Sequence, residues 1–171
     1  MPVKNAEVSK GKGQKAEFPE AGLIRSTLTL RRLDLPQSVF MTKRSLLRWI
    51  ALSLGLISEN ESRRASIEVL DALFYFLFSK KANPSIEQIK KYLEEKRNVK
   101  ISERLIRYHL DKLVHCGFIA RKKRTYCINP APQGEREDII ASIEYYTKAE
   151  LEESLKHILI AMEKLIEKYK E

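Results

Sequence analysis

The spacing of apolar residues changes along this chain, and the changes mark its elements. Residues 1 to about 20 are rich in Lys, Glu and Gly and show no apolar period. They predict a flexible basic tail, its charge diluted by Glu7, Glu17 and Glu20. Leu23 to Leu35 holds a possible strand, Ser26-Thr27-Leu28-Thr29-Leu30-Arg31, ended by Pro36. Thr42 then predicts a helix cap for Lys43 to Leu54, with Gly55 beyond. Leu46, Leu47, Ile50, Ala51 and Leu54 share one face of that helix. Trp49, the only Trp, reads as its anchor on the main body.

Ser62 predicts the start of a helix from about Arg63 to Ser79. Its second half, Leu73-Phe74-Tyr75-Phe76-Leu77-Phe78, is apolar nearly all round, as a central buried helix requires. Such a run fits core packing better than a ligand pocket. Ala82-Asn83-Pro84 breaks the pattern, and Ser85 caps a helix from Ile86 to about Arg97. Ile86, Ile89 and Leu93 turn inward there, with Tyr92 beside them. After Asn98 to Ile101, Ser102 caps a further helix whose buried stripe is Ile106, Leu110 and Leu113. Arg104, Arg107, Tyr108, Asp111 and Lys112 fall on its wet face. Gly117 closes it, because a left-handed residue is cheap there only for Gly. A hairpin follows, Phe118 to Arg121 with Thr125 to Ile128, tipped by Arg121, Lys122, Lys123 and Arg124.

Asn129-Pro130-Ala131-Pro132 predicts a stiff exit linker, then a weaker helix from about Glu135 to Tyr146. A final helix begins near Thr147 or Lys148. Its Leu151, Leu155, Ile158, Met162, Leu165 and Tyr169 step by four, three, four, three and four, a heptad seam. Leu159, Ile160, Ala161 and Ile166 widen the face. The helix is expected to bury against a second copy of itself, against the preceding helix, or both; homodimerisation is the reading adopted.

The predicted architecture is mainly α with a small β-hairpin wing. Residues 1–20 form the tail and 21–60 an N-terminal extension with one helix. A winged helix-turn-helix occupies 61–130, and 131–171 form a C-terminal helical dimerisation region. An apolar share of 43% supports a packed core.

Charge adds a functional constraint. The net charge of +9 favours a polyanionic partner, although a Lys/Glu-rich surface also suits heat-adapted proteins. Its distribution favours the first explanation. From Lys96 to Tyr126 the cations are Lys96, Arg97, Lys100, Arg104, Arg107, Lys112 and the four of the hairpin tip, opposed only by Glu103 and Asp111. Beyond Ala131 acids outnumber bases.

Ser102-Glu103-Arg104-Leu105-Ile106-Arg107-Tyr108-His109-Leu110-Asp111-Lys112-Leu113, followed by Gly117-Phe118-Ile119, resembles the recognition helix and wing of winged helix-turn-helix transcription regulators, those of archaea and bacteria in particular. The resemblance covers roughly Glu61 to Asn129. Leu105 stands where that pattern usually has a small β-branched residue. The implied activity is binding to double-stranded DNA.

The residues themselves suit that chemistry. Arg104 and Arg107 project from adjacent turns, and each guanidinium can donate twice to guanine O6 and N7. Tyr108 can press on a thymine methyl or donate to a phosphate, and Lys112 suits the backbone. Ser102, with the first N–H groups around Glu103, offers a phosphate site. Arg121 to Arg124 suit an adjacent minor groove or its phosphates, contacts that position rather than specify. The reading requires the helix and the tip to present one surface, with Arg107 and Lys122 on the same side.

Two other classes share parts of this pattern: a winged-helix protein-interaction module, and a nonspecific chromatin or RNA binder. An enzyme is not expected, because no Gly-rich phosphate loop, paired-carboxylate motif or nucleophile elbow appears. His109, His115 and His157 lack zinc spacing with Cys116 and Cys127, so neither metal nor cofactor is expected. The cysteines read as small buried hydrophobes, with a thiol switch as the alternative. No stretch approaches the roughly 20 apolar residues that span a bilayer, and the start lacks the apolar core of a secretory signal. A cytoplasmic, nucleoid-associated protein is the expectation.

Overall fold

In the computed structural model, residues 18–58 and 64–170 are described; the expected tail up to residue 17 and the expected cap Ser62 lie outside them. A short 3₁₀ turn, Pro19–Leu23, comes first. The helices are α1 (Gln37–Phe40), α2 (Lys43–Ser53), α3 (Ala65–Phe74), α4 (Ile86–Arg97), α5 (Glu103–His115) and α6 (Ile139–Lys168). Between α5 and α6 lie β1 (Ile119–Lys122) and β2 (Thr125–Ile128), an antiparallel pair. The molecule is mainly helical with a two-stranded wing.

The core is the three-helix unit α3–α5 closed by the wing. Val69, Ala72, Leu73, Ile89, Ile106 and Leu110 are fully buried, with Phe118, Ile119 and Tyr126 sealing the hairpin side. Capping fixes the helix starts. Thr42 Oγ1 accepts from the Ser45 N–H at 3.0 Å. Ser85 and Gln88 form a reciprocal capping box at α4. The left-handed Asn98 ends α4 and turns the chain into α5.

Expectations in three regions need correction, the first being the N-terminal extension, which holds α1 as well as the one helix expected. Ser26 to Arg31 is extended but pairs with no strand among the described residues; the Arg31 N–H donates instead to the Ser53 carbonyl at 2.9 Å, and side chains add further ties. Arg31 Nη1 donates to the carbonyls of Leu52 (2.9 Å), in the last turn of α2, and Ile57 (2.7 Å), just beyond it. Trp49 Nε1 donates to the Asp34 carbonyl at 2.8 Å, so this half-buried Trp ties down the N-terminal arm rather than plugging the core. Gly55 has φ +64°, and the arm crosses it so closely that an added Cβ would meet Thr29 at 2.7 Å.

Second, the aromatic run is not the most buried part of its helix. Ser66 to Leu73 is buried, whereas Phe74, Tyr75 and Phe76 are half-exposed and Phe78 is exposed. At Tyr75–Ser79 the helix widens into a π turn. That turn lets Tyr75 stack on Tyr92 of α4, with ring centroids 4.5 Å apart.

Third, the two helices expected after the linker are one. No Gly or Pro interrupts Ile139–Lys168, and Asp138 caps it by accepting from the Ala141 N–H at 3.0 Å. Ile139, Ile143 and Tyr146 pack on the core. Being continuous with them, the distal half has no preceding helix to fold against.

Unforeseen in the sequence is an ionic cluster that joins three helices. The carboxylates of Glu68 and Asp71 on α3 are buried, and α2 and α4 supply their partners. Lys43 lies 2.6 Å from Asp71, and Arg44 lies 3.0 Å from Glu68. Arg97 pairs with Asp71 and lies 3.7 Å from Glu68. Arg97 is thereby committed to the scaffold.

Candidate nucleic-acid interface

The candidate surface is built on α5. Ser102 Oγ accepts from the Leu105 N–H at 3.3 Å, which fixes the first turn. Ile106, His109, Leu110 and Leu113 face inward and leave Arg104, Arg107 and Tyr108 exposed. Glu103 is half-exposed in an ion pair with Lys90 of α4, 3.4 Å away across the α4–α5 junction.

Lys112 is half-buried, with two neighbours of its own. Its Nζ donates to the Leu56 carbonyl at 3.3 Å and lies 4.8 Å from the Tyr108 ring centroid. The contact steadies Tyr108 from one side. His109 meets the same ring edge-on, centroids 5.2 Å apart.

The wing is anchored at its second strand. The Tyr126 N–H donates to the Pro84 carbonyl at 2.9 Å, and Ser85 bridges to Thr125, so β2 is stitched to the start of α4. At the tip Lys123 adopts φ +58°, the positive angle that a two-residue hairpin turn demands. Thr125 Oγ1 donates to the Lys122 carbonyl at 3.1 Å across the turn.

In this register Arg121 stands opposite Tyr126 and Lys122 opposite Thr125, so the two cations leave the ribbon on opposite faces. Arg121 lies 6.0 Å from the Tyr126 ring centroid, on the α5 side. Arg107 acts on the same phenol, as does Asp111. Arg107 and Arg124 both act on Glu87, in the first turn of α4. Arg107 therefore shares the Tyr126 phenol with Arg121 and the Glu87 carboxylate with Arg124, at the side where α5, the wing and the start of α4 meet. Lys122 does not lie there; it lines a cleft on the far side. The expectation that all tip cations share one surface with the helix is corrected for this residue, because strand alternation sends neighbours to opposite faces.

Glu87 is the residue that sequence reasoning missed. Its carboxyl is held below the usual range mainly by the Ser85 side chain, then by its own backbone N–H, with Arg124 and Arg107 adding attraction. The signal was present: an acid two residues after a helix cap. Burial pushes the Tyr126 phenol up, opposed by Arg121 and Arg107 and reinforced by Asp111. The hydroxyl is buried without a hydrogen-bond partner. Both cysteines are free thiols. Burial pushes the Cys116 thiol up, which keeps it protonated and weakly nucleophilic. Cys127 Sγ donates to the Ala120 carbonyl at 3.6 Å.

The distal half of α6 stands away from the core. Leu151, Leu155, Ile158, Met162 and Leu165 are 47–58% exposed and Tyr169 is 85% exposed. Values near half are what a helix covers of itself, so the seam is bare. Ser26 Oγ donates to Glu150 where the N-terminal arm passes the helix. Among the described residues no helix is long and apolar enough to cross a membrane, and no cluster of His, Cys, Asp and Glu could hold a metal ion.

Comparison with known proteins agrees with the geometry. No curated protein and no solved structure gives a significant match. The family described as the ribonuclease R winged-helix domain matches residues 75–129, from the aromatic π turn through α4, α5 and the wing. That match covers less than half of the chain and identifies this part as a winged-helix domain, a fold consistent with nucleic-acid binding or with a protein-interaction role.

Proposed function

We propose that the protein binds double-stranded DNA sequence-selectively as a homodimer and regulates transcription, acting as a binder rather than an enzyme. The reading places α5 in the major groove and the wing on the adjacent backbone or minor groove. The observation that carries it is the exposed face of α5, with Arg104, Arg107 and Tyr108, beside a wing whose Arg121 lies 6.0 Å from the Tyr126 ring that Arg107 also influences. Three guanidinium groups held on a stitched scaffold suit a row of phosphates and base edges.

Arg104 and Arg107 take guanine edges in this account, and Tyr108, steadied by Lys112, takes a thymine methyl. Ser102 and the open N-terminus of α5 receive a phosphate, while Arg121, Lys123 and Arg124 follow the strand beyond it. Leu151, Leu155, Ile158, Met162, Leu165 and Tyr169 pair with the same residues of a second copy. A soluble, nucleoid-associated location follows from that role. Recovery of a shared motif from a random duplex pool tests the proposal, and an unenriched pool contradicts it.

A second reading rests on the family match, because the matched domain is that of a ribonuclease. The same basic surface would then serve structured RNA, with no base preference required. Competition of duplex RNA against duplex DNA of equal length separates the two.

A further inference from the structure

Lys122, turned away from α5, lines a cleft of about 500 Å³ bounded by the π turn, the back of the wing and the segment that leads to α6. Leu77, Cys127 and Ile128 line its inner end, each only 7–8% exposed, so the apolar part of the lining is a narrow strip. Lys81, Lys122 and Arg136 stand at the rim, and Glu137 is the sole acid among the lining residues. None of the three cations forms an ion pair with another described residue.

Lys81 is held at φ +49°, a conformation costly for a residue with a Cβ, by the chain reversal that returns the Ala82 N–H to the Phe76 carbonyl at 3.0 Å. Three cations from three separate segments therefore border a cleft of small-ligand size, with Glu137 the one acid beside them in the lining.

We infer that this cleft binds a small organic anion. Its phosphate or carboxylate meets Lys81, Lys122 and Arg136, and its body lies along the apolar strip of Leu77, Cys127 and Ile128. Location gives the site a consequence. Lys122 is part of β1, and Arg136 stands just before Asp138, the cap of α6. An occupant joins the wing to the root of the long helix and fixes their mutual angle. The binding site stands without the proposed DNA reading; an effect on DNA affinity rests on it.

The test is an NMR titration of the full chain, free of nucleic acid, with phenyl phosphate, benzoate and inorganic phosphate in separate arms. The expected result is saturable shifts at the amides of Leu77, Ala82, Cys127 and Ile128 with an organic anion, at a Kd of about 1 mM or tighter. The tighter of the two organic arms identifies the head group. Inorganic phosphate should bind at least about tenfold more weakly, and the Lys81→Gln/Arg136→Gln variant should lose at least about tenfold for every arm. Shifts that stay linear to about 20 mM with both organic anions, or an unchanged Kd in the variant with its spectrum intact, overturn the site. Inorganic phosphate binding as tightly as phenyl phosphate overturns the role of the apolar strip. If the anion saturates the cleft and leaves duplex affinity unmoved, the site stands and its coupling to the wing falls.

Discussion

Arg121 lies 6.0 Å from the ring centroid of Tyr126, a residue with no exposed surface at all. A charged group at the end of a flexible side chain is thus seated on one of the most rigid parts of the wing. The same phenol feels Arg107 from α5, so the buried ring lies between the helix and wing sides of the candidate surface.

Substitution at Tyr126 separates the ring from the hydroxyl. The Tyr126 Oη is buried with no partner, and such a group opposes folding by about 1–3 kcal/mol relative to an apolar replacement. Tyr126→Phe should therefore leave stability at pH 7 unchanged or raise it by about 1 kcal/mol, measured by urea unfolding. The pH dependence follows from the raised phenol. Its folded pKa lies above the ordinary 10.0, so the folded state holds the proton more tightly. This contribution is complete below pH 10 and is lost as pH rises through the folded value. The variant should lack that part of the alkaline decline, and identical curves above pH 10 would contradict the burial argument.

The scaffold should depend on Arg97 more than on surface pairs. Removing one partner of a buried ion pair costs about 3–5 kcal/mol. Arg97 is one-third exposed and Lys43 and Arg44 remain, so Arg97→Met should cost about 2 kcal/mol, or roughly 6 °C in Tm. Lys91→Met breaks only an exposed pair with Glu95 and should change stability by less than about 0.5 kcal/mol. Equal effects in thermal unfolding would remove the cluster from its role.

Dimerisation should fail when a charge enters the bare seam. Leu155→Glu with Met162→Glu should convert a dimer to a monomer in sedimentation equilibrium. Duplex affinity should fall by about a hundredfold as the second half-site is lost. A monomeric wild-type chain contradicts the pairing assigned to α6.

Base reading and phosphate contact should come apart by residue. Arg107→Ala should remove about 1–3 kcal/mol of preference for the selected duplex over a random one. Arg124→Ala should weaken both duplexes alike. Equal losses for Arg107→Ala on both duplexes would end its base-reading role.

Much of the fold was legible because its signals are local. Ser85 and Ser102 announce helix starts, Asn98 and Gly117 supply positive φ, and Ile106, Leu110 and Leu113 keep helical period. Less local features were not legible. Nothing near Ser26 to Arg31 reveals that its backbone lacks a partner strand, or that Arg31 reaches the end of α2. The Glu68/Asp71 cluster joins residues from three helices, and sequence spacing carries no trace of it. At the candidate surface, residue type was readable but facing was not. Alternation along a strand separates Lys122 from Arg121 as soon as the register is known. Glu87 comes near Arg107 and Arg124 only because β2 is stitched to the start of α4.

Fluorescence anisotropy of a labelled duplex across a salt series tests the central claim most directly. If each half of a dimer neutralises about four phosphates through α5 and the wing, log K should fall with log salt at a slope of about −7. A slope shallower than about −3 would show that the guanidinium groups beside α5 do not meet a phosphate backbone.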